Sequence, residues 1–237
     1  MVEKKKIEWK DAAEKVKRYI FKITTPRNLG TGFLCAYANN KKICGIATAA
    51  HVVKDSYLWE EPIRLKYHIS GEEKILRNPD RIIFMDHKLD SAIILFMKGN
   101  LRLPDETLNI LPEKRHLKVG VEVGWLGYPA ISPYICNNLC FFSGNNSCWI
   151  EKDKAYLVDG VAINGVSGGP AFFVTRDSIK IIGSVTAYLP NVTGLTPGLA
   201  MISSLEHYHS VIKTIKDFEE AKEKEILSTE IKEKVLK

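Results

Sequence analysis

Three short segments of this chain carry side chains able to do chemistry. The run Ile46-Ala47-Thr48-Ala49-Ala50-His51-Val52-Val53 sets a histidine at the end of an apolar stretch of small residues. The run Leu89-Asp90-Ser91-Ala92-Ile93-Ile94-Leu95 opens on an aspartate and is otherwise almost wholly apolar. The run Gly165-Val166-Ser167-Gly168-Gly169-Pro170 surrounds one serine with three glycines. Such a glycine-rich turn can enter left-handed backbone conformations and aim a backbone N–H and a hydroxyl at one spot. Taken singly, each segment has an ordinary structural explanation. A histidine can be satisfied inside a core, an aspartate can cap a turn, and glycine-serine turns are common in β proteins. Taken together, they supply a nucleophile, a base and a group to orient the base, which is the equipment of acyl transfer.

The elements that must position these residues follow from the hydrophobic period. Residues 8–18 repeat Trp9, Ala12, Ala13 and Val16 at helical spacing. From Tyr19 the period changes to two, and a strand over 19–25 is stopped by Pro26. Strands over 32–38 and 43–49 form a hairpin with Asn39-Asn40-Lys41-Lys42 at its turn. Further strands are expected over 63–70, 74–77, 81–85 and 92–97. Residues 99–118 hold no sustained period and read as a connection between two halves. A second series is expected over 121–128, 139–143, 147–151, 155–159, 170–175, 179–188 and 198–202. Short strands separated by turn signals suggest a barrel or a sandwich. The C-terminal part is helical: Ser203 and Glu206 have capping-box spacing. Leu205, Tyr208, Val211, Ile212, Ile215 and Phe218 make one apolar stripe that should dock on the second half. Beyond it the chain is dense in Glu and Lys, Glu220 and Lys224 make a favourable i,i+4 pair, and the last ten or so residues are expected to be a solvated tail.

Composition narrows the function classes. The chain has 237 residues, 45% hydrophobic and 26% charged, with a formal net charge of +6 that is not gathered into a patch. A nucleic-acid partner is therefore not expected. No apolar run is long enough to cross a membrane, and the lysines near the N-terminus precede no apolar h-region, so a cytoplasmic protein is expected. The five cysteines (Cys35, Cys44, Cys136, Cys140 and Cys148) form no CxxC pair. Free thiols are expected, with no metal and no cofactor. Glycosylation sequons at Asn145 and Asn191 carry little weight without a secretory route.

His51, Asp90 and Ser167 stand in that order, separated by 39 and 77 residues. This order is that of chymotrypsin-type enzymes and differs from those of subtilisins and α/β-hydrolases. The chain resembles the trypsin-like serine peptidases, and among them the Deg/HtrA-type protease domain. The matching pieces, in the family's order, are Gly30-Thr31-Gly32-Phe33-Leu34, Thr48 to Val53, Asp90 to Ile93, Val123-Gly124-Trp125-Leu126-Gly127-Tyr128-Pro129, and Asp159 to Pro170. The resemblance implies an all-β fold of two perpendicular antiparallel β-barrels with a short N-terminal and a C-terminal helix. Its divisions would be 1–18 (helical), 19–98 (first barrel), 99–118 (connection), 119–202 (second barrel) and 203–237 (helix and tail).

The same resemblance implies a serine endopeptidase acting on polypeptides through an acyl-enzyme. His51, Asp90 and Ser167 would form the triad, and the N–H groups of Gly165 and Ser167 the oxyanion hole. Val161, Ala162, Ser184, Val185, Thr186 and Ala187 would line the pocket. None of these is acidic, so cleavage after apolar residues is expected. Three departures stand out. Val166 occupies the place where secreted trypsins have the aspartate that binds a new N-terminus. No cysteine follows His51, so the disulfide beside that histidine is missing. The PDZ domain that many Deg/HtrA proteins carry is expected to be lacking. Two other readings stay open: a latent or inactive member used as a binding module, and an esterase with the same triad. An oligomer or regulatory partner could engage the C-terminal helix.

Overall fold

The two-residue period that begins near Tyr19 folds into two antiparallel sheets. They are seen in a computed structural model that describes residues 7–131, 137–189 and 198–235; the side chains of 188 and 223–235 lie outside that description. The first sheet has seven strands in the spatial order β5-β4-β1-β2-β3-β7-β6. These are β1 (Ile20–Thr24), β2 (Leu29–Ala38), β3 (Ile43–Ala49), β4 (Ile63–Tyr67), β5 (Glu73–Leu76), β6 (Arg81–Asp86) and β7 (Ser91–Met97). The second is a closed six-stranded barrel in the order β10-β13-β12-β11-β8-β9. It contains β8 (Glu122–Gly127), β9 (Cys140–Ile150), β10 (Ala155–Asp159), β11 (Pro170–Val174), β12 (Ile179–Leu189) and β13 (Leu199–Ser204). Helices α1 (Trp9–Lys17), α2 (Ala50–Leu58) and α3 (Glu206–Val235) complete the element list. The mostly-β architecture with a helix near each end is the one the resemblance implies.

The first sheet curls without closing its ladder. Its edge strands β5 and β6 are joined in sequence by a single 3-10 turn, Asn78–Asp80. The Arg81 side chain bridges the seam. Its guanidinium donates to the carbonyls of Leu76 (2.6 Å), Ser56 (2.7 Å) and Glu61 (2.7 Å). A planar cation with fixed donor directions suits three converging carbonyls, and its burial lowers its pKa from the ordinary value.

Register explains the placement of the first two chemical residues. β3 pairs with β7 so that Ala49 lies opposite Ser91. The end of one strand, one residue short of Ala50 and His51, therefore abuts the start of the other, directly after Asp90.

Several sequence expectations are corrected. The two strands expected over 139–143 and 147–151 are one continuous strand, Cys140–Ile150, because β9 has a partner along both edges, β8 and β10. The chain after Ala49 turns into helix α2, which periodicity did not suggest. Ser203 lies in β13 and does not cap α3; its hydroxyl donates to the Leu89 carbonyl at 2.5 Å. The apolar stripe of α3 docks through Leu205, Tyr208, Val211 and Ile215, but chiefly on β2 and β7 of the first sheet rather than on the second half, and Phe218 is 71% exposed. The charged residues beyond it continue the helix to Val235. The connection over 99–118 buries Leu101, Leu103, Leu108, Leu111 and Leu117 against the core. No helix among the described residues is long and apolar enough to cross a membrane.

Candidate active site

Asp90 ends the tight turn between β6 and β7. Asp86 makes that turn: its Oδ1 accepts from the N–H groups of Lys88 (2.9 Å) and Leu89 (3.0 Å). Asp90 is thereby held at φ +46°, a left-handed conformation uncommon outside glycine and asparagine or aspartate. Its carbonyl accepts from Ala50 N–H at 3.1 Å. Its carboxylate accepts from His51 N–H (2.9 Å) through Oδ1 and meets His51 Nδ1 (2.7 Å) through Oδ2. These amides belong to the first turn of α2, where helix N–H groups lack internal partners. The N-cap residue, Ala49, has no side chain to offer. Asp90 therefore caps α2 from another hairpin, its negative charge sits at the positive end of the helix dipole, and the same contact orients the imidazole. The side chains are partly open to solvent, 47% for His51 and 29% for Asp90.

Ser167 lies in the second of two consecutive turns of one kind. Val166 N–H donates to the Ile163 carbonyl (3.0 Å) and Gly169 N–H to the Val166 carbonyl (2.9 Å). The third residues of these turns are Gly165 (φ +90°) and Gly168 (φ +84°), while the second residues, Asn164 and Ser167, are not at positive φ. That combination defines two consecutive type II turns sharing Val166. The third residue of a type II turn needs positive φ, which is the physical reason for glycine at 165 and 168. Val166 anchors the pair from below: it is fully buried, and Gly127 packs so closely that a Cβ there would lie 2.7 Å from Val166 Cγ1. Where a secreted trypsin uses a charged switch, this chain has an apolar anchor.

The two halves are stitched at this loop. Thr31 of β2 donates its N–H to the Ser167 carbonyl (2.8 Å) and its Oγ1 hydroxyl to the Gly165 carbonyl (2.8 Å). Gly168 packs against the end of β3; a Cβ there would fall 2.2 Å from the Thr31 carbonyl and from Thr48 Oγ1, and 2.7 Å from Ala49 N. The serine backbone therefore abuts the strand that leads into His51. From the other side, Ser203 binds Leu89 beside Asp90, and Tyr208 of α3 donates to Ser184 Oγ (2.8 Å) and approaches the Thr48 carbonyl (3.5 Å). Among the described residues Ser167 Oγ makes no hydrogen bond, which leaves it available; catalytic contacts often tighten only when substrate binds. The competing nucleophiles are quiet: burial pushes the Cys35 and Cys44 thiols up to about 12, where almost no thiolate forms. These two, with Cys140 and Cys148, are free thiols, and Cys136 lies outside the described residues, as does Asn191.

The residues expected to line a pocket divide. Val161 (45% exposed) and Ala162 (half-buried) sit on the approach to the serine loop. Ser184 and Val185 are buried, the former bonded to Tyr208 and the latter paired with the loop through Gly168 N–H (2.7 Å) and the Gly169 carbonyl (2.9 Å). Both face the interior and are not free to meet a substrate side chain. Thr186 is also buried and donates to the Met201 carbonyl (3.3 Å), while Ala187 is half-buried. No cluster of His, Cys, Asp and Glu suited to a metal occurs among the described residues.

No protein-family profile matches the sequence, and no curated protein does so. Solved structures do match. The serine endoprotease from Yersinia pestis superposes with a TM-score of 0.63 at 18% identity, over 88% of this chain and 66% of that one. Deg5 gives a TM-score of 0.60 at 16% identity, over 87% of this chain and 94% of that one. The inactive form of Rv3671c from M. tuberculosis, a serine-to-alanine mutant, gives 0.57 at 17% identity, over 86% and 90%. The chain has the fold of the Deg/HtrA-type serine proteases. Within that fold, the residues that sequence reasoning missed are the supports: Asp86, Thr31, Ser203 and Tyr208. Thr31 stood inside a quoted motif, and Tyr208 inside the apolar stripe of α3. Their hydroxyls signalled only that a polar atom would need a partner once buried.

Proposed function

We propose that this chain is a serine endopeptidase whose triad is His51, Asp90 and Ser167. The observation that carries the reading is the joint placement of a carboxylate-bound imidazole and a serine set in paired type II turns against the strand leading to that imidazole. Ser167 Oγ attacks the scissile carbonyl while His51 takes its proton, then returns it to the leaving amine. Asp90 accepts from Nδ1–H, holds the tautomer with the other ring nitrogen free for the serine, and stabilises the imidazolium as it forms. Water then cleaves the acyl-enzyme by the same proton path. The N–H groups of Gly165 and Ser167 stabilise the oxyanion, and losing one such donor typically costs about 3 kcal/mol in the transition state. No metal or organic cofactor has a part in this scheme.

The substrate is a polypeptide read along β12. Its ladder with β11 ends at the pair Pro170–Ser184, while β13 continues alongside as far as Leu189. Among the described residues no strand covers the other edge of β12 beyond Val185, so an extended peptide adds there by main-chain hydrogen bonds. Val161, Ala162 and Ala187 then surround the residue before the cut. Their neutral side chains favour an apolar one.

Labelling of the purified chain by a fluorophosphonate probe, beside Ser167→Ala, tests the reading. Labelling of the wild type that vanishes in the variant, with turnover of peptides exceeding that of esters in kcat/KM, is expected. A folded wild type that does not label refutes the assembled triad and leaves a binding module; turnover of esters alone makes it an acyl hydrolase of another class.

A further inference from the structure

The type II turn Ile163–Val166 has a close competitor. Types I and II differ by a flip of the central peptide, here Asn164–Gly165, and glycine accepts either form. A flip would reverse the Gly165 N–H, so something must select one state. Two contacts do so. Ala130 N–H donates to the Asn164 carbonyl (2.6 Å), which in a trans peptide sends the Gly165 N–H the opposite way. Thr31 Oγ1 donates to the Gly165 carbonyl (2.8 Å) and so holds the next peptide.

Both contacts trace back to one hydroxyl. Thr31 Oγ1 also accepts from Tyr128 N–H (3.0 Å), two residues before Ala130. An amide can only donate, so the single hydroxyl proton is committed to the Gly165 carbonyl. The remaining polar groups of Thr31 are committed too: its N–H to the Ser167 carbonyl (2.8 Å) and its carbonyl to Thr48 Oγ1 (2.8 Å). The side chain is fully buried on a central strand of the first sheet, so it is a rigid reference point.

We infer that Thr31 is a positioning residue that holds the oxyanion loop in its type II form through its hydroxyl, linking Gly165 to the Tyr128–Ala130 segment. The inference rests on the endopeptidase reading for its catalytic consequence, but not for the hold itself. Thr31→Val keeps the shape and removes the hydroxyl, and Thr31→Ser keeps the hydroxyl. Amide exchange by NMR on the full chain reads the hold directly. The Ala130 amide, whose bond to the Asn164 carbonyl a flip would break, is expected to exchange at least about tenfold faster in Thr31→Val and near the wild-type rate in Thr31→Ser. Peptide kcat and the fluorophosphonate labelling rate are expected to fall about 10- to 100-fold in Thr31→Val, with KM within about twofold, and to be largely restored in Thr31→Ser. Unchanged Ala130 exchange in Thr31→Val overturns the inference, as does a serine variant that falls as far as the valine one. A wild type with neither labelling nor turnover refutes the endopeptidase reading instead, and the exchange result still decides the role of Thr31.

Discussion

Removing the hydroxyl of Tyr208 is expected to lower stability by about 2 kcal/mol, although the residue lies on a helix far along the chain from the triad. The ring stays in Tyr208→Phe, so its edge-on contact with Phe33 (6.0 Å between centroids, 87° between planes) is kept. The loss is one buried hydrogen bond, Tyr208 Oη to Ser184 Oγ at 2.8 Å, worth about 1 kcal/mol net. Ser184 is fully buried, and its hydroxyl has no other partner among the described residues. Leaving it orphaned adds a penalty within a range of about 1–3 kcal/mol, and the low end applies if Ser184 rotates toward a carbonyl. For a chain of this size, about 2 kcal/mol corresponds to a Tm lowered by about 4–8 °C. Urea and thermal unfolding of Tyr208→Phe, Ser184→Ala and the double variant would measure it. Because removing both partners leaves no orphan, the double variant should lose less than the sum of the singles by about 1 kcal/mol or more. A Tyr208→Phe loss below about 0.5 kcal/mol, or additive singles, would refute the claim that this bond pins α3 to β12.

Gly168→Ala is expected to lose more than about 2 kcal/mol and all probe labelling, since its Cβ would strike Thr31 and Thr48 at 2.2 Å in a left-handed conformation; a soluble, fully labelled variant of native stability contradicts the packing of the loop. Acidification should destabilise the chain through two histidines. Burial lowers the pKa of His68, with Lys17 adding to the effect and Glu14 opposing it, and burial lowers that of His207 against the raising pull of the Phe84 carbonyl and Asp86. The unfolded state therefore takes up protons first, so this share of stability is whole above about pH 6.5 and is lost as pH falls toward the depressed folded values. Urea midpoints from pH 7.5 to 5 should fall less in His68→Gln/His207→Gln than in the wild type, and parallel curves would argue against buried neutral imidazoles.

The order of the three candidate residues was legible in the sequence. His51, Asp90 and Ser167 sit where polar side chains interrupt apolar or glycine-rich runs, and such interruptions survive folding because a local turn or strand end makes them. The hairpin through Asn39 and Asn40 was legible for the same reason: side chains that tolerate positive φ stand between two runs of period two, and both residues take it. Helix α2 was not legible. It is nine residues long, and the cap that its Ala49 cannot supply comes from Asp90, on another hairpin. Which of the residues expected to line a pocket would be buried was not legible. A strand pattern tells which residues alternate, but Ser184 was turned inward by Tyr208, a partner 24 residues away. α3 outran its apolar stripe because Glu, Lys and Ala favour helix without needing a face to bury.

What the sequence by itself determined is therefore local: which residues can carry a proton or attack a carbonyl, where the chain must turn, and which runs alternate. These follow from side-chain chemistry and from the φ each residue permits. What only the tertiary structure decided is which distant groups complete them: the Asp90 cap on α2, the Thr31 hydroxyl on the serine loop, the Arg81 bridge across the open seam. Each is a polar group whose need for a partner is written in the sequence. The partner's identity depends on which strands the closing of two sheets brings within 3 Å.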